Sequence, residues 1–152
     1  MSDVTLSPAE ARDLQRIAGM MIPSNAEYAV PAADDATIFA DILRSLGRDA
    51  GVVRNALAEL MALGGGPFAE LDAAQAGTVA EAFLTSGTTA VEVLGRCILQ
   101  CYYRDDRVLR SLGVEPRPPF PKGYVVEQGD WSLLDAVRGR PKMWRDDKTG
   151  AI

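Results

Sequence analysis

Thr88-Thr89-Ala90-Val91-Glu92-Val93-Leu94-Gly95-Arg96-Cys97-Ile98-Leu99-Gln100-Cys101-Tyr102-Tyr103 is the stretch that decides the fold. Its polar residues Glu92, Arg96 and Gln100 lie four apart and form one narrow line on a helix. Nearly all the other residues are apolar. A helix apolar around most of its circumference has to be covered by other elements. The pattern therefore predicts the central helix of a bundle, with the polar line at the rim or against a neighbour. Glu92 and Arg96 stand in the favourable i, i+4 order, a pairing that contributes about 0.2–0.5 kcal/mol in an isolated helix.

Working outward toward the N-terminus, four more helices are legible. Ser7-Pro8-Ala9-Glu10 reads as a capping box with proline in the first turn, and Leu14, Ile17, Ala18 and Met21 follow at helical spacing. Pro23 stops that helix. After a loop over residues 24–33, Asp34 or Asp35 caps a second helix carrying Ile38, Phe39, Ile42, Leu43 and Leu46. Asp49 is expected to cap a third, with Val52, Val53, Ala56, Leu57, Leu60 and Leu63. Gly64-Gly65-Gly66-Pro67 ends it and, lacking the Lys-Ser/Thr of a phosphate-cradling loop, reads as a connector. Asp72 opens a fourth helix bearing Val79, Ala80, Phe83 and Leu84, closed by Gly87. Beyond the central helix, a short sixth runs from Asp106 to Leu112 and stops at Gly113.

The character changes after Gly113. Residues 117–124, Arg-Pro-Pro-Phe-Pro-Lys-Gly-Tyr, hold three prolines in eight positions and should be extended. Only a weak helical turn, Ser132 to Arg138, follows, and both tryptophans, Trp131 and Trp144, lie in this part. The expected architecture is all-α: a bundle of five to six helices over residues 1–113, then an extended Pro- and aromatic-rich arm over 114–152 that packs on the bundle, on a partner subunit, or on both.

Composition narrows the chemistry. The chain has 152 residues, 47% hydrophobic and 24% charged, which is an ordinary globular balance. With 16 Lys+Arg against 21 Asp+Glu the net charge is −5, unsuited to tracking phosphate backbones, so no nucleic acid is expected. There is no histidine, which excludes Ser-His-Asp and Cys-His nucleophile arrangements and histidine metal or haem ligation. Two cysteines cannot build a disulfide scaffold or a four-cysteine metal site within one chain. No run of about 18 apolar residues is present, so no membrane insertion is expected. The opening Met1-Ser2-Asp3-Val4 carries no basic-then-apolar signal and no Arg-Arg pair, which makes the cytoplasm the expected location. The periplasm would require export with a signal-bearing partner.

Several clusters carry two readings. Cys97 and Cys101 share one helix face, as a metal or redox pair or as two small buried hydrophobes. The pairs Asp34-Asp35, Asp105-Asp106 and Asp146-Asp147 are acid/base or Mg²⁺ carboxylates, or simply helix caps. Arg104, Arg107 and Arg110, with Arg117 beyond, are a docking patch for an acidic partner or anion, or favourable charge at helix C-termini. The candidate partner interface is Arg117, Phe120, Tyr124, Trp131 and Trp144, because aromatics and Arg dominate interface hot spots and prolines lower the entropy cost of ordering an arm.

The order of these features resembles the small-subunit family typified by gluconate 2-dehydrogenase subunit 3. The resemblance rests on Leu6-Ser7-Pro8-Ala9-Glu10 leading to Ala18-Gly19-Met20-Met21-Ile22-Pro23, on Phe68-Ala69-Glu70-Leu71-Asp72, on residues 99–106 (Leu-Gln-Cys-Tyr-Tyr-Arg-Asp-Asp), and on Pro118-Pro119-Phe120-Pro121-Lys122-Gly123-Tyr124. It implies a non-catalytic subunit that stabilises a large FAD-dependent partner of the glucose-methanol-choline oxidoreductase type, acting on an alcohol or sugar hydroxyl. The chain itself would hold no cofactor, and FAD would reside in the partner. Export-type members carry a twin-arginine signal that is not seen here. The composition reading agrees: such an oxidation needs a base and a hydride acceptor, and a histidine-free chain with no cofactor loop has to leave both to its partner. The alternatives are a self-sufficient helical small-molecule-binding protein or enzyme using carboxylate or Cys chemistry, and a helical adaptor for another protein.

Overall fold

Ser7 begins the first helix as its sequence requires. In a computed structural model, its Oγ accepts from Glu10 N at 3.2 Å while Ser7 N donates to Glu10 Oε2 at 2.6 Å, and α1 runs Pro8–Met21. Residues 6–116, 127–141 and 143 are described. The chain divides into two units, Met1–Pro118 and Pro119–Ile152.

The first unit holds α1, α2 (Ala36–Ser45), α3 (Ala50–Gly64), α4 (Ala73–Thr85), α5 (Thr89–Tyr102) and α6 (Asp106–Ser111). Local chemistry explains most of the boundaries. Asp35, rather than Asp34, caps α2 by accepting from Thr37 N and Ile38 N. Asp72 and Gln75 form a second capping box at α4, Thr88 caps α5, and Asp105 caps α6. Gly65, at φ 69°, closes α3 in a left-handed conformation that an L side chain enters only at a cost. Asp49 does not cap α3. A 3-10 turn over Gly47–Asp49 precedes that helix, and the Asp49 side chain makes no cap bond.

One continuous core runs through the bundle, with Leu14, Ile17, Ile38, Ile42, Val53, Leu60, Phe68, Phe83, Leu94 and Ile98 fully buried. α5 contributes Val91, Leu94, Cys97, Ile98, Cys101 and Tyr102 to it. It is sandwiched between α2 and α3, while α3 is the hub, packing on α5, α4 and α1. The central position expected of α5 is thus shared with α3. The solvent strip of α5 is also wider than the Glu92-Arg96-Gln100 line, because Leu99 is 42% exposed and Tyr103 lies on the same side. Leu63 and Leu84, read as core positions, are exposed in the last turns of α3 and α4, while Leu60 and Phe83 on the same turns are fully buried.

The connection from α1 to α2 is a built loop. Asn25 and Val30 pair as an isolated bridge, closed by Ala29 in the left-handed region at φ 51°. The Tyr102 hydroxyl donates to Pro31 O at 3.2 Å, and Ser111 Oγ donates to Tyr28 O at 2.7 Å. Gly19 faces Asp34 so closely that a Cβ there would stand 2.7 Å from the carboxyl, which would force that side chain to move.

In the second unit the described residues form a 3-10 turn, Trp131–Leu134, running into α7 (Asp135–Arg138). This is the weak helical turn the sequence suggests. Among the described residues there is no β-strand longer than the single bridge, and the fold class is all-α.

Candidate functional site

The arginines at the end of α5 and on α6 are the most conspicuous charge cluster, and the fold uses them internally. Arg104 donates to Asp41 Oδ2 through Nε at 3.0 Å and Nη2 at 2.5 Å, and to Ser45 Oγ at 2.7 Å, tying α5 to α2. Arg107 bonds Asp105 at 3.0 Å and Asp35 at 2.7 Å. These two aspartates cap α6 and α2, so one guanidinium joins two helix starts. It holds both carboxyls below the usual aspartate range, chiefly by its own hydrogen bonds to them. Arg110 pairs with Asp106 at 2.9 Å. Arg104, Arg107 and Arg110 thus each pair with a neighbouring carboxylate while their side chains stay partly exposed. One correction concerns Arg96, which reaches Asp49 at 2.9 Å rather than Glu92.

Cys97 and Cys101 are both buried free thiols. Burial is the leading cause raising each thiol's pKa, the opposite of what an activated nucleophile needs. Arg104 Nη2 approaches Cys101 Sγ at 3.5 Å, beside a shallow cleft of about 280 Å³ lined by Thr37, Asp41, Arg44 and Asp105 among others. Among the described residues no group of three or more Cys, Asp or Glu is placed to hold a metal ion. Asp35 and Asp105 act as caps, and Asp146 and Asp147 lie outside the described residues.

One polar arrangement escaped the sequence reading. Asp13 is buried in α1, and its Oδ1 accepts from Ala69 N at 2.7 Å. Arg16, one turn on, donates to Phe68 O at 3.1 Å and Ala69 O at 2.8 Å, with its guanidinium 5.5 Å from the Phe68 ring centre. Together they pin the 3-10 turn Phe68–Glu70 against α1 and seal Phe68 into the core. The available signal was a charged pair at i, i+3 bordering the apolar stripe of α1, but its partners lie more than 50 residues away and have no local signature.

The candidate interface falls in the second unit. Trp131 is 58% exposed, Leu133 75% and Val137 55%, with Leu134 and Met143 exposed as well. Arg117, Phe120, Tyr124 and Trp144 lie outside the described residues. The turn that carries Trp131 organises itself. Asp130 Oδ1 accepts from Ser132 N at 3.0 Å and Ser132 Oγ at 2.6 Å, Trp131 Nε1 donates to Gln128 Oε1 at 3.2 Å, and Arg138 pairs with Asp135 at 3.3 Å. The serine bonds keep the Asp130 carboxyl below its ordinary range. Leu133, Leu134 and Val137 were not singled out from sequence, although their spacing behind Trp131 on a helical turn was the clue.

No helix among the described residues is long and apolar enough to cross a membrane. No family model, no curated protein and no solved structure matches the chain.

Proposed function

We propose that this chain is the non-catalytic small subunit of an oxidoreductase complex, assembling with and stabilising a large FAD-dependent subunit of the glucose-methanol-choline type that acts on an alcohol or sugar hydroxyl. The carrying observation is the contrast in burial. The bundle closes a core around Phe68, Phe83 and Leu94, while the second unit exposes Trp131, Leu133 and Val137 on an ordered turn. Large apolar side chains held exposed on an ordered scaffold are what a protein partner covers. Two further features support the reading: the resemblance carried by the four sequence segments, and a chain with no histidine whose two thiols are buried.

In this reading the partner supplies the base and the flavin, and the flavin accepts the hydride. This chain supplies apolar surface and a rigid helical body. Co-expression with a candidate large FAD-dependent oxidoreductase from the same genome should yield a stable hetero-oligomer. A chain that stays monomeric in that flavoprotein's presence overturns the proposal.

A further inference from the structure

We draw no further inference here: the strongest candidate, the exposed groove of about 400 Å³ along α4 at the end of α3, lined by Gly64, Leu71, Ala74, Gln75, Thr78 and Val79, is an unpartnered apolar face and nothing in the structure shows what covers it.

Discussion

The bundle and the C-terminal unit solve opposite problems with the same residue types. In the bundle, Phe68, Phe83, Leu94 and Ile98 are fully buried, and no buried side-chain nitrogen or oxygen among the described residues lacks a hydrogen-bond partner. In the C-terminal unit, a tryptophan, two leucines and a valine sit on a turn with its own cap and remain exposed. Several arginines of the bundle tie its elements together, beside the local pairs Arg44 with Asp41 and Arg110 with Asp106. In the bundle, Arg16, Arg54, Arg96, Arg104 and Arg107 are committed to carbonyls and carboxylates of other elements. In the second unit the described pair, Arg138 with Asp135, is local to one turn. Leu94 is fully buried in the first unit and Trp131 is exposed in the second, so on the proposed function substitutions at the two should separate into effects on folding and effects on association.

The strongest test of that separation is Leu94→Ala. It should destabilise the bundle by about 2–5 kcal/mol, the usual cost of emptying a fully buried leucine site, read from the midpoint of chemical unfolding. A midpoint equal to wild type would contradict the core described for α5. Ser7→Ala removes one half of the α1 capping box and should cost about 1 kcal/mol in the same assay. Glu10 sharpens this prediction, because its carboxylate serves the box and also pairs with Arg54 of α3 at 2.9 Å.

Arg107→Gln should cost about 1 kcal/mol or less, in keeping with a largely solvated ion pair. It should also change the acid limb of stability. Arg107 lowers the folded-state pKa of Asp35 and Asp105, so their contribution is present above the ordinary aspartate value of about 3.9 and is lost as pH falls through the lowered folded values. Without the guanidinium that acid loss should shrink, visible as a shallower decline in unfolding midpoint below about pH 4. An unchanged acid limb would show that Arg107 does not bridge the two caps in solution. The smallest expected effect on folding is that of Trp131→Ala, within about 0.5 kcal/mol of wild type, as for an exposed residue outside any packed core. A large loss of bundle stability would erase the contrast between the two regions.

Features set by neighbouring residues were readable in advance. The caps at Ser7, Asp72, Thr88 and Asp105 satisfy backbone donors within three residues, and the apolar stripes of α1 and α2 fall at helical spacing, so helix existence and order follow from local chemistry. Long-range choices were hidden. Arg96 had a suitable partner in Glu92 one turn away, yet the fold brings Asp49 to it from 47 residues off. Asp49 in turn makes no cap bond: a 3-10 turn runs directly into α3, and the Asp49 carboxylate is the partner of Arg96. Leu63, Leu84 and Leu99 are exposed beside fully buried neighbours such as Phe83 and Ile98, so each faces away from the core, and apolar identity alone does not report which side of a helix is covered. Of the candidate interface, Trp131 was legible as an aromatic in a segment with little regular structure. Leu133 and Val137 were not, because exposure is set by the fold and not by a residue's own identity.

The central claim is that this polypeptide acts as one member of a larger assembly, and the mass of the purified complex tests it most directly. Co-expressed with a candidate FAD-dependent oxidoreductase from the same genome and sized by light scattering, the chain is predicted on the proposed function to travel at the summed mass of a hetero-oligomer. Elution of the two proteins at their separate masses would contradict the account.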